Sequence, residues 1–182
     1  MRWFWIDRFE AFVSGQYAVS VKNVSLGEEQ IDNYSPGMPY HPAALIIEGM
    51  AQTGGLLMSQ MSDFQKRIVL AKVGKAEFKF EAVPGDTIRF RCELTNVSDS
   101  GAMAHCTAHV QDELLADVAL MFATLEDNKR FDGVTLFEPA GFCRMIRLMK
   151  LFDVGVNPDG TPVKVPQHML EAEKASLLTD TG

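Results

Sequence analysis

The sequence predicts an α+β fold in which one long antiparallel sheet wraps around a single apolar helix. Two observations support this prediction. A segment between residues 43 and 61 is apolar on almost every side, so other elements must surround it. After Phe64, roughly sixty residues alternate between apolar and polar side chains in four long runs. An antiparallel sheet curled around the helix would bury both elements in one pair of layers.

The composition is that of a globular protein and excludes disordered, collagen-like and low-complexity chains. Of 182 residues, 47% are hydrophobic and 23% are charged. The net charge of −7 argues against nucleic acid as a partner, because phosphate binding needs a positive surface. The three cysteines, Cys92, Cys106 and Cys143, are widely spaced and odd in number, which favours a reducing cytoplasm over a disulfide framework. The longest apolar stretch contains Glu48 and Gln52, so we expect no membrane span.

The N-terminal part of the chain predicts three elements. Residues 3–12 are aromatic and amphipathic, and they predict a short turn or helix. Residues 17–24 alternate and predict a strand. Residues 25–42 predict a loop with a nearly fixed path, because three prolines and a glycine fall within its last seven residues. Pro42 suits the first helical position.

The apolar helix that follows contains three glycines, Gly49, Gly54 and Gly55. Each costs roughly 1 kcal/mol relative to alanine in a helix interior. Such a cost suggests that a neighbouring backbone or a ligand approaches the helix closely. Tight packing of the helix on a sheet is an equally good interpretation.

Four strands are predicted after the helix, at residues 68–80, 88–95, 102–110 and 114–125. Turn sequences separate them at residues 83–86, 99–101 and 111–112. The last strand is apolar on both faces, as expected at the centre of a sheet or at an interface. Beyond Asp127, residues 137–151 have helical spacing, and the final dozen residues predict a frayed end. We therefore divide the chain into a domain of residues 1–130 and a helical extension of residues 131–182 packed on it.

The segment SPGMPYHPAALIIEGMAQTGG and the order of the elements resemble the β-hydroxyacyl-(acyl-carrier-protein) dehydratases of bacterial fatty acid synthesis. The motif of that family reads His-Phe-Pro-Gly-x-Pro-x-Met-Pro-Gly and continues into a helix that opens with Leu-Ile-Ile-Glu-Ala-Met-Ala-Gln. The resemblance covers roughly residues 17–126 and implies the hot-dog fold. The matching residues are Pro36, Gly37, Pro39, Pro42, Leu45, Ile46, Ile47, Glu48, Met50, Ala51 and Gln52.

One departure from the motif affects its chemistry directly. Tyr34 occupies the position of the family's catalytic histidine, and Ser35 and Ala43 replace the next Phe and the second Gly. A histidine occurs seven residues after Tyr34, at His41, where the family usually has Met. The chain is therefore expected to be a divergent member that lacks the usual loop histidine.

The resemblance implies a set of site residues. Glu48 would be the acid/base carboxylate, with Gln52 one helical turn away beside the substrate. Gly37 and the first helical turn would polarise the thioester carbonyl. We expect His41 to be a proton shuttle that acts across a dimer interface, because it lies about 10 Å along the helix from Glu48. Tyr34 would either hydrogen-bond the substrate or fill the space of the missing histidine.

We expect neither a metal nor a cofactor. His105 and His109 lie about 13 Å apart on one predicted strand, which is too far for one metal ion. The sequence has no phosphate-binding glycine loop and no dinucleotide fingerprint. The C-terminal helix carries Arg144, Arg147 and Lys150, which either dock an acidic carrier protein or form a solvated face.

We therefore predict a cytoplasmic dehydratase-like lyase that forms a homodimer or a trimer of dimers. Its substrate would be a 3-hydroxyacyl thioester of acyl-carrier protein or coenzyme A, and its product the trans-2-enoyl thioester. Two alternatives stay open. A hot-dog thioesterase would use Glu48 to activate water and would not need the loop histidine. A non-catalytic acyl-binding subunit, paired with an active homologue, would explain Tyr34.

Overall fold

A seven-stranded sheet packs on one long helix in this computed structural model, which describes residues 4–29, 31, 37, 39–125 and 138–179. The sheet order is β3-β6-β5-β4-β2-β1-β7, and every pair is antiparallel except β1 with β7. The strands are β1 (Arg8–Val13), β2 (Tyr17–Asn23), β3 (Ile68–Phe78), β4 (Thr87–Ser98), β5 (Gly101–Val110), β6 (Glu113–Thr124) and β7 (Gly155–Val156). The helices are α1 (Ala43–Gln60), α2 (Pro139–Leu148), α3 (Leu151–Val154) and α4 (Gln167–Thr179).

Helix α1 and the four long strands confirm the predicted architecture. The helix starts one residue later than predicted, because Pro42 is its N-cap, with φ −58° and an extended ψ of 135°. Its side chains are buried on several sides, including Ile46, Met50 and Leu57. Strand β6 lies between β3 and β5; Leu120 and Phe122 on one of its faces are buried, whereas Met121 on the other face is 41% exposed. Among the described residues, no helix is both long and apolar enough to cross a membrane.

The prediction of a turn or helix at residues 3–12 was wrong, because residues 8–13 form strand β1. Phe9 and Phe12 are both 1% exposed and pack edge to face at 5.5 Å. Their spacing of three residues imitates a helical period. The strand brings them to the same buried face because its register with β2 shifts between Phe9 and Ala11. Such a bulge adds one residue and changes which side chains face the core.

The C-terminal segment, residues 138–179, packs into the same core as the sheet. Cys143, Ile146 and Leu151 are completely buried. Strand β7 extends the sheet beside β1, and the Phe9 amide donates to the Met149 carbonyl at 2.7 Å. These contacts connect the end of the chain to its first strand.

The predicted frayed end was also wrong, because α4 continues to Thr179. Two arginines of α2 bind it: Arg147 pairs with Glu173 at 3.2 Å, and Arg144 donates to the Ser176 hydroxyl at 2.9 Å. These arginines were predicted to lie on an outer face, for docking or for solvation. In the structure, both of them connect α2 to α4.

Candidate active site

A cavity of about 700 Å³ runs along one face of α1. Glu48, Gln52, Gly55 and Ser59 line it at successive turns of the helix. From Glu48 to Ser59 the helix rises by eleven residue steps, which correspond to a length of about 16 Å. The volume lies within the range of small-molecule sites, and the length suits an extended chain better than a compact ligand.

The other walls of the cavity are largely apolar and come from distant parts of the sequence. Ile68 and Leu70 at the start of β3 form one wall. Other apolar contributions come from the N-terminal strand region, the end of β6, the turn after α1 and the C-terminal segment: Phe4, Phe122, Phe64, Phe142 and Met169. An apolar cavity with a few polar groups is the usual form of a site for a hydrophobic ligand.

Glu48 is held in the cavity wall by a short chain of hydrogen bonds. The Trp5 backbone N–H donates to Gln52 Oε1 at 2.8 Å, and Gln52 Nε2 donates to Glu48 Oε1 at 3.0 Å. Because the Trp5 amide is a donor only, the Gln52 oxygen must face it, and the amide nitrogen is left for the carboxylate. Within the described part of the chain, Glu48 Oε2 has no hydrogen-bond partner. The half-buried carboxyl therefore has one fixed oxygen and one available oxygen.

His41 is 2% exposed and is not part of the cavity wall. Its backbone N–H donates to the Ala82 carbonyl at 2.7 Å, but neither ring nitrogen has a partner among the described residues. Burial lowers the pKa of the imidazole below 6.5; nearby Glu28 raises this pKa and Lys22 lowers it further. The ring is therefore neutral at neutral pH.

Trp5 connects the surroundings of His41 to those of Glu48, a role that the sequence did not indicate. Its ring lies edge to face with the imidazole of His41, with centroids 6.3 Å apart. Its backbone amide orients Gln52, and its indole Nε1 is a further buried atom without a partner among the described residues. Three unpaired polar atoms of Trp5 and His41 thus lie in one region, where a buried polar group normally has a partner.

The two loop residues predicted to bind substrate have different outcomes. Gly37 is exposed and has a φ of +84°, in the left-handed region that favours glycine. Tyr34 lies outside the described residues, as does Ser35, so the role of Tyr34 stays a prediction. The structure brings Glu48 and Gln52 together as predicted. It keeps His41 of the same chain out of their cavity.

Sequence reasoning missed the part of the site that comes from the C-terminal segment. Pro139, Phe142, His168 and Met169 all line the cavity. No local pattern marks them, because they are about 90 to 120 residues from Glu48 in sequence and reach it only through tertiary packing.

The comparisons with known proteins agree with this fold. Residues 4–119 match the model of the FabA-like domain. The 3-hydroxyacyl-(acyl-carrier-protein) dehydratase FabZ of Pelotomaculum thermopropionicum is 37% identical over 119 residues, which are 65% of this chain and 85% of that protein. The corresponding FabZ of Enterococcus faecalis is 30% identical over 65% of this chain and 83% of its own length.

Two solved structures show the same fold at low sequence identity. The dehydratase heterocomplex ApeI:P of Xenorhabdus doucetiae is 12% identical, with a TM-score of 0.60 over 70% of this chain and 87% of that chain. The protein smu.793 of Streptococcus mutans, bound to acetyl CoA, is 14% identical, with a TM-score of 0.55 over 68% and 92%. These findings confirm the predicted hot-dog fold and the predicted resemblance. The chain belongs to the FabA-like domain family and is a relative of the FabZ dehydratases.

Proposed function

We propose that this protein removes water from 3-hydroxyacyl thioesters of fatty acid metabolism and forms the trans-2-enoyl thioesters. The observation that carries the proposal is the position of Glu48, a half-buried carboxyl in the wall of an apolar cavity with one oxygen fixed by Gln52. The FabZ relatives bear the name of this activity. The cavity along α1 provides room for the acyl chain beside the carboxyl.

The reaction needs two proton transfers and one polarised carbonyl. The C2–H bond breaks, and its electron pair forms the C2–C3 double bond while the C3–O bond breaks. The departing oxygen takes a proton and leaves as water, so the reaction needs one base and one acid. Negative charge that develops on the thioester oxygen would be stabilised by backbone N–H groups near Gly37 and by the N-terminus of α1.

In this proposal Glu48 and His41 share the proton transfers. Protonated Glu48 donates to the leaving hydroxyl, and a neutral imidazole accepts the C2 proton; transfer of that proton to the carboxylate restores both groups for the next turnover. The lowered pKa of His41 keeps the imidazole in its basic, uncharged form. Its unpaired ring nitrogens support a role in which substrate or water is their partner. Tyr34 would hydrogen-bond the substrate at the position where the relatives' motif has histidine.

We infer that a second copy of this chain completes the site, since His41 is not part of the cavity wall of its own chain. Strand β3 lies at one end of the sheet order, so one of its edges is unpaired among the described strands. Leu70 and Val73 on β3 are both more than a third exposed. An open strand edge can pair with another strand, and Leu70 also lines the cavity. A homodimer, alone or in a trimer of dimers, would therefore bring a second chain next to the cavity.

The proposal also covers the domain organisation of the protein, its cellular compartment and the carrier of its substrate. Residues 1–130 would form the acyl-thioester-binding domain, and residues 131–182 a helical extension packed on it. The reaction would take place in the cytoplasm, where the free buried thiols Cys92, Cys106 and Cys143 stay reduced. The carrier would be acyl-carrier protein or coenzyme A.

The test is turnover of a panel of 3-hydroxyacyl thioesters, with enoyl absorbance and thiol release followed in parallel. We expect enoyl formation that falls at least about 100-fold in Glu48→Gln and in His41→Ala. Glu113→Gln, which makes the same change at an exposed carboxyl of β6 outside the cavity wall, is the control and should keep most of the activity. Circular dichroism and the melting temperature establish that each variant is folded.

Three results would contradict the proposal in different ways. Thiol release that depends on Glu48 alone would identify a thioesterase. Bound acyl ligand without either product would identify a non-catalytic subunit. Full enoyl formation by Glu48→Gln would show that this carboxyl takes no part in the reaction.

A further inference from the structure

The C-terminal segment forms part of the wall of the cavity along α1. Phe142 of α2 and Met169 of α4 are part of its wall, together with Phe64, which follows α1. This segment lies outside residues 4–119, the part of the chain that matches the FabA-like domain. The family domain therefore provides the carboxyl, and a separate part of the chain provides one of the walls.

The order of the lining residues along α1 gives the direction of the cavity. Glu48 lies in the first half of the helix, and Gln52, Gly55 and Ser59 follow toward its C-terminal end. An acyl chain whose reacting carbons lie beside Glu48 can extend along this face of α1 for about 16 Å. Gly55 has no side chain to obstruct it. Beyond Ser59 this acyl chain would approach the aromatic rings of Phe64 and Phe142.

Phe64 is fixed in place by its backbone and by two rings of the C-terminal segment. Asp63 and Phe64 have φ values of 52° and 61°, in the left-handed region that bulky residues rarely adopt. The Phe64 amide donates to the Ser59 carbonyl at 2.9 Å. Its ring packs edge to face on Phe142 at 5.8 Å and on Phe152 at 6.2 Å. Such backbone strain persists only where the surroundings enforce it, and the two ring contacts hold Phe64 against the C-terminal segment.

Phe142 is equally well supported from behind. It lies in α2, whose N-terminus is capped by the Glu138 carboxylate through the amides of Ala140 and Gly141. Its neighbours Cys143 and Ile146 are completely buried in the core. Displacement of α2, which carries Phe142, would therefore disturb the packing of the whole segment.

We propose that the C-terminal segment closes the far end of the acyl cavity and sets the longest acyl chain that the protein accepts, with Phe142 as the stop. This inference rests on the proposed function, because it takes the occupant to be an acyl thioester. It adds a specificity-determining residue that lies outside the catalytic domain. Shortening the side chain at position 142 should lengthen the cavity without altering Glu48 or Gln52.

The experiment compares Phe142→Ala with Phe152→Ala in the full-length protein. Phe152 makes the same kind of contact with Phe64 but does not line the cavity, so it is a matched control for lost aromatic packing. Binding of saturated acyl-coenzyme A thioesters of increasing chain length is measured by titration calorimetry. We expect Phe142→Ala to prefer longer chains than the wild type, with about a fourfold gain in affinity for each additional methylene that finds room. Phe152→Ala should keep the wild-type preference.

Phe142→Leu provides a second variant if the alanine variant does not fold, and it should shift the preference in the same direction by a smaller amount. An unchanged preference in the folded variants of Phe142, or an equal shift in Phe152→Ala, would overturn the inference. The same result follows if the wild-type protein binds no acyl thioester of any length.

Saturated thioesters cannot lose water, so their binding is independent of catalysis. Turnover of the matching 3-hydroxyacyl thioesters then separates the two proposals. A shifted preference without enoyl product would reject the dehydratase and keep the stop at Phe142. Enoyl formation with an unshifted chain-length profile in Phe142→Ala would keep the dehydratase and reject the stop at Phe142.

Discussion

Glycine residues on the two faces of helix α1 have different structural roles. On the face toward the sheet, a Cβ added at Gly49 would lie 2.6 Å from the Phe90 ring, and one at Gly54 would lie 2.9 Å from the Phe122 ring. On the cavity face, a Cβ at Gly55 would make only an ordinary contact with Phe122 at 3.7 Å. The first two glycines permit close packing, and the third leaves space inside the cavity.

The polar residues of α1 differ between the faces in the same manner. Thr53, on the packed face, is fully buried and bonds both the Gly49 carbonyl and the Ser20 hydroxyl. Glu48 and Gln52, on the cavity face, are half-buried, and one oxygen of Glu48 stays available. A buried face must satisfy its polar atoms internally, whereas a face that binds a ligand can leave one for the ligand.

The largest expected difference between the faces is in the stability of two alanine variants. Gly49→Ala should lower the free energy of unfolding, because overpacking against the buried Phe90 ring costs about 1–3 kcal/mol. At 2.6 Å from the ring the cost belongs in the upper part of this range, so it outweighs the roughly 1 kcal/mol that alanine gains over glycine in a helix. Gly55→Ala makes no clash, so it should keep that gain and be slightly more stable than the wild type. Urea unfolding of both variants measures the difference.

Gly55→Ala should also reduce the affinity for acyl thioesters, because its methyl group occupies part of the cavity. If both variants lose the same stability, the distinction between the faces is wrong. Unchanged binding by folded Gly55→Ala would place the ligand elsewhere.

A smaller change in the free energy of unfolding is expected for a substitution at His41. This residue is as buried as the residues on the packed face of α1, but within the described part of the chain its ring is not hydrogen-bonded as their polar side chains are. Both ring nitrogens are buried without a partner among the described residues. His41→Leu should raise the free energy of unfolding at neutral pH by about 1 kcal/mol, because it removes desolvated polar atoms from an enclosed position. In the proposed mechanism the same variant loses activity. A loss of stability would instead show that the imidazole has partners in solution, such as an ordered water.

The smallest effect is the pH dependence of stability that His41 contributes. Because its pKa in the folded state lies below 6.5, the unfolded chain binds more protons at this residue than the folded protein as the pH falls through 6.5. Stability should therefore be unaffected by His41 above that pH. It should decline as the pH falls from 6.5 toward the lowered pKa, and then become constant.

Urea unfolding across this pH range, compared between the wild type and His41→Leu, isolates the contribution of the imidazole. Glu28 and Lys22 are the charged groups that act on it, with opposite effects. Identical pH profiles for the two proteins would mean that the imidazole titrates normally, and would remove the argument that it is held neutral.

Much of the fold was predictable because its signals are local. The alternation of Ile88, Phe90 and Cys92 with charged residues marks a strand with one buried face, and all three are completely buried. The apolar helix after Pro42 was predicted to within one or two residues at its ends. Glu48 and Gln52 were identified from the motif, and four residues of separation on a helix is enough to bring their side chains together.

The errors occurred where local signals have two meanings. Phe9 and Phe12 are spaced like residues on a helix, but a bulge in β1 places both in the core. The last dozen residues look frayed, but α4 continues to Thr179 and its Glu173 pairs with Arg147 of α2. In each case an element distant in sequence decided the outcome.

Periodicity and a continuous motif were sufficient to predict the elements from β2 to β6, the buried helix and the family, and they identify Glu48 as the candidate carboxyl. The three-dimensional contacts were needed to tell which glycines of α1 pack against the sheet and which one borders the cavity. The same contacts show that His41 is enclosed, that Trp5 orients Gln52, and that the C-terminal segment lines part of the cavity. Burial and cavity shape depend on contacts between residues far apart in the chain, and no local pattern encodes these contacts.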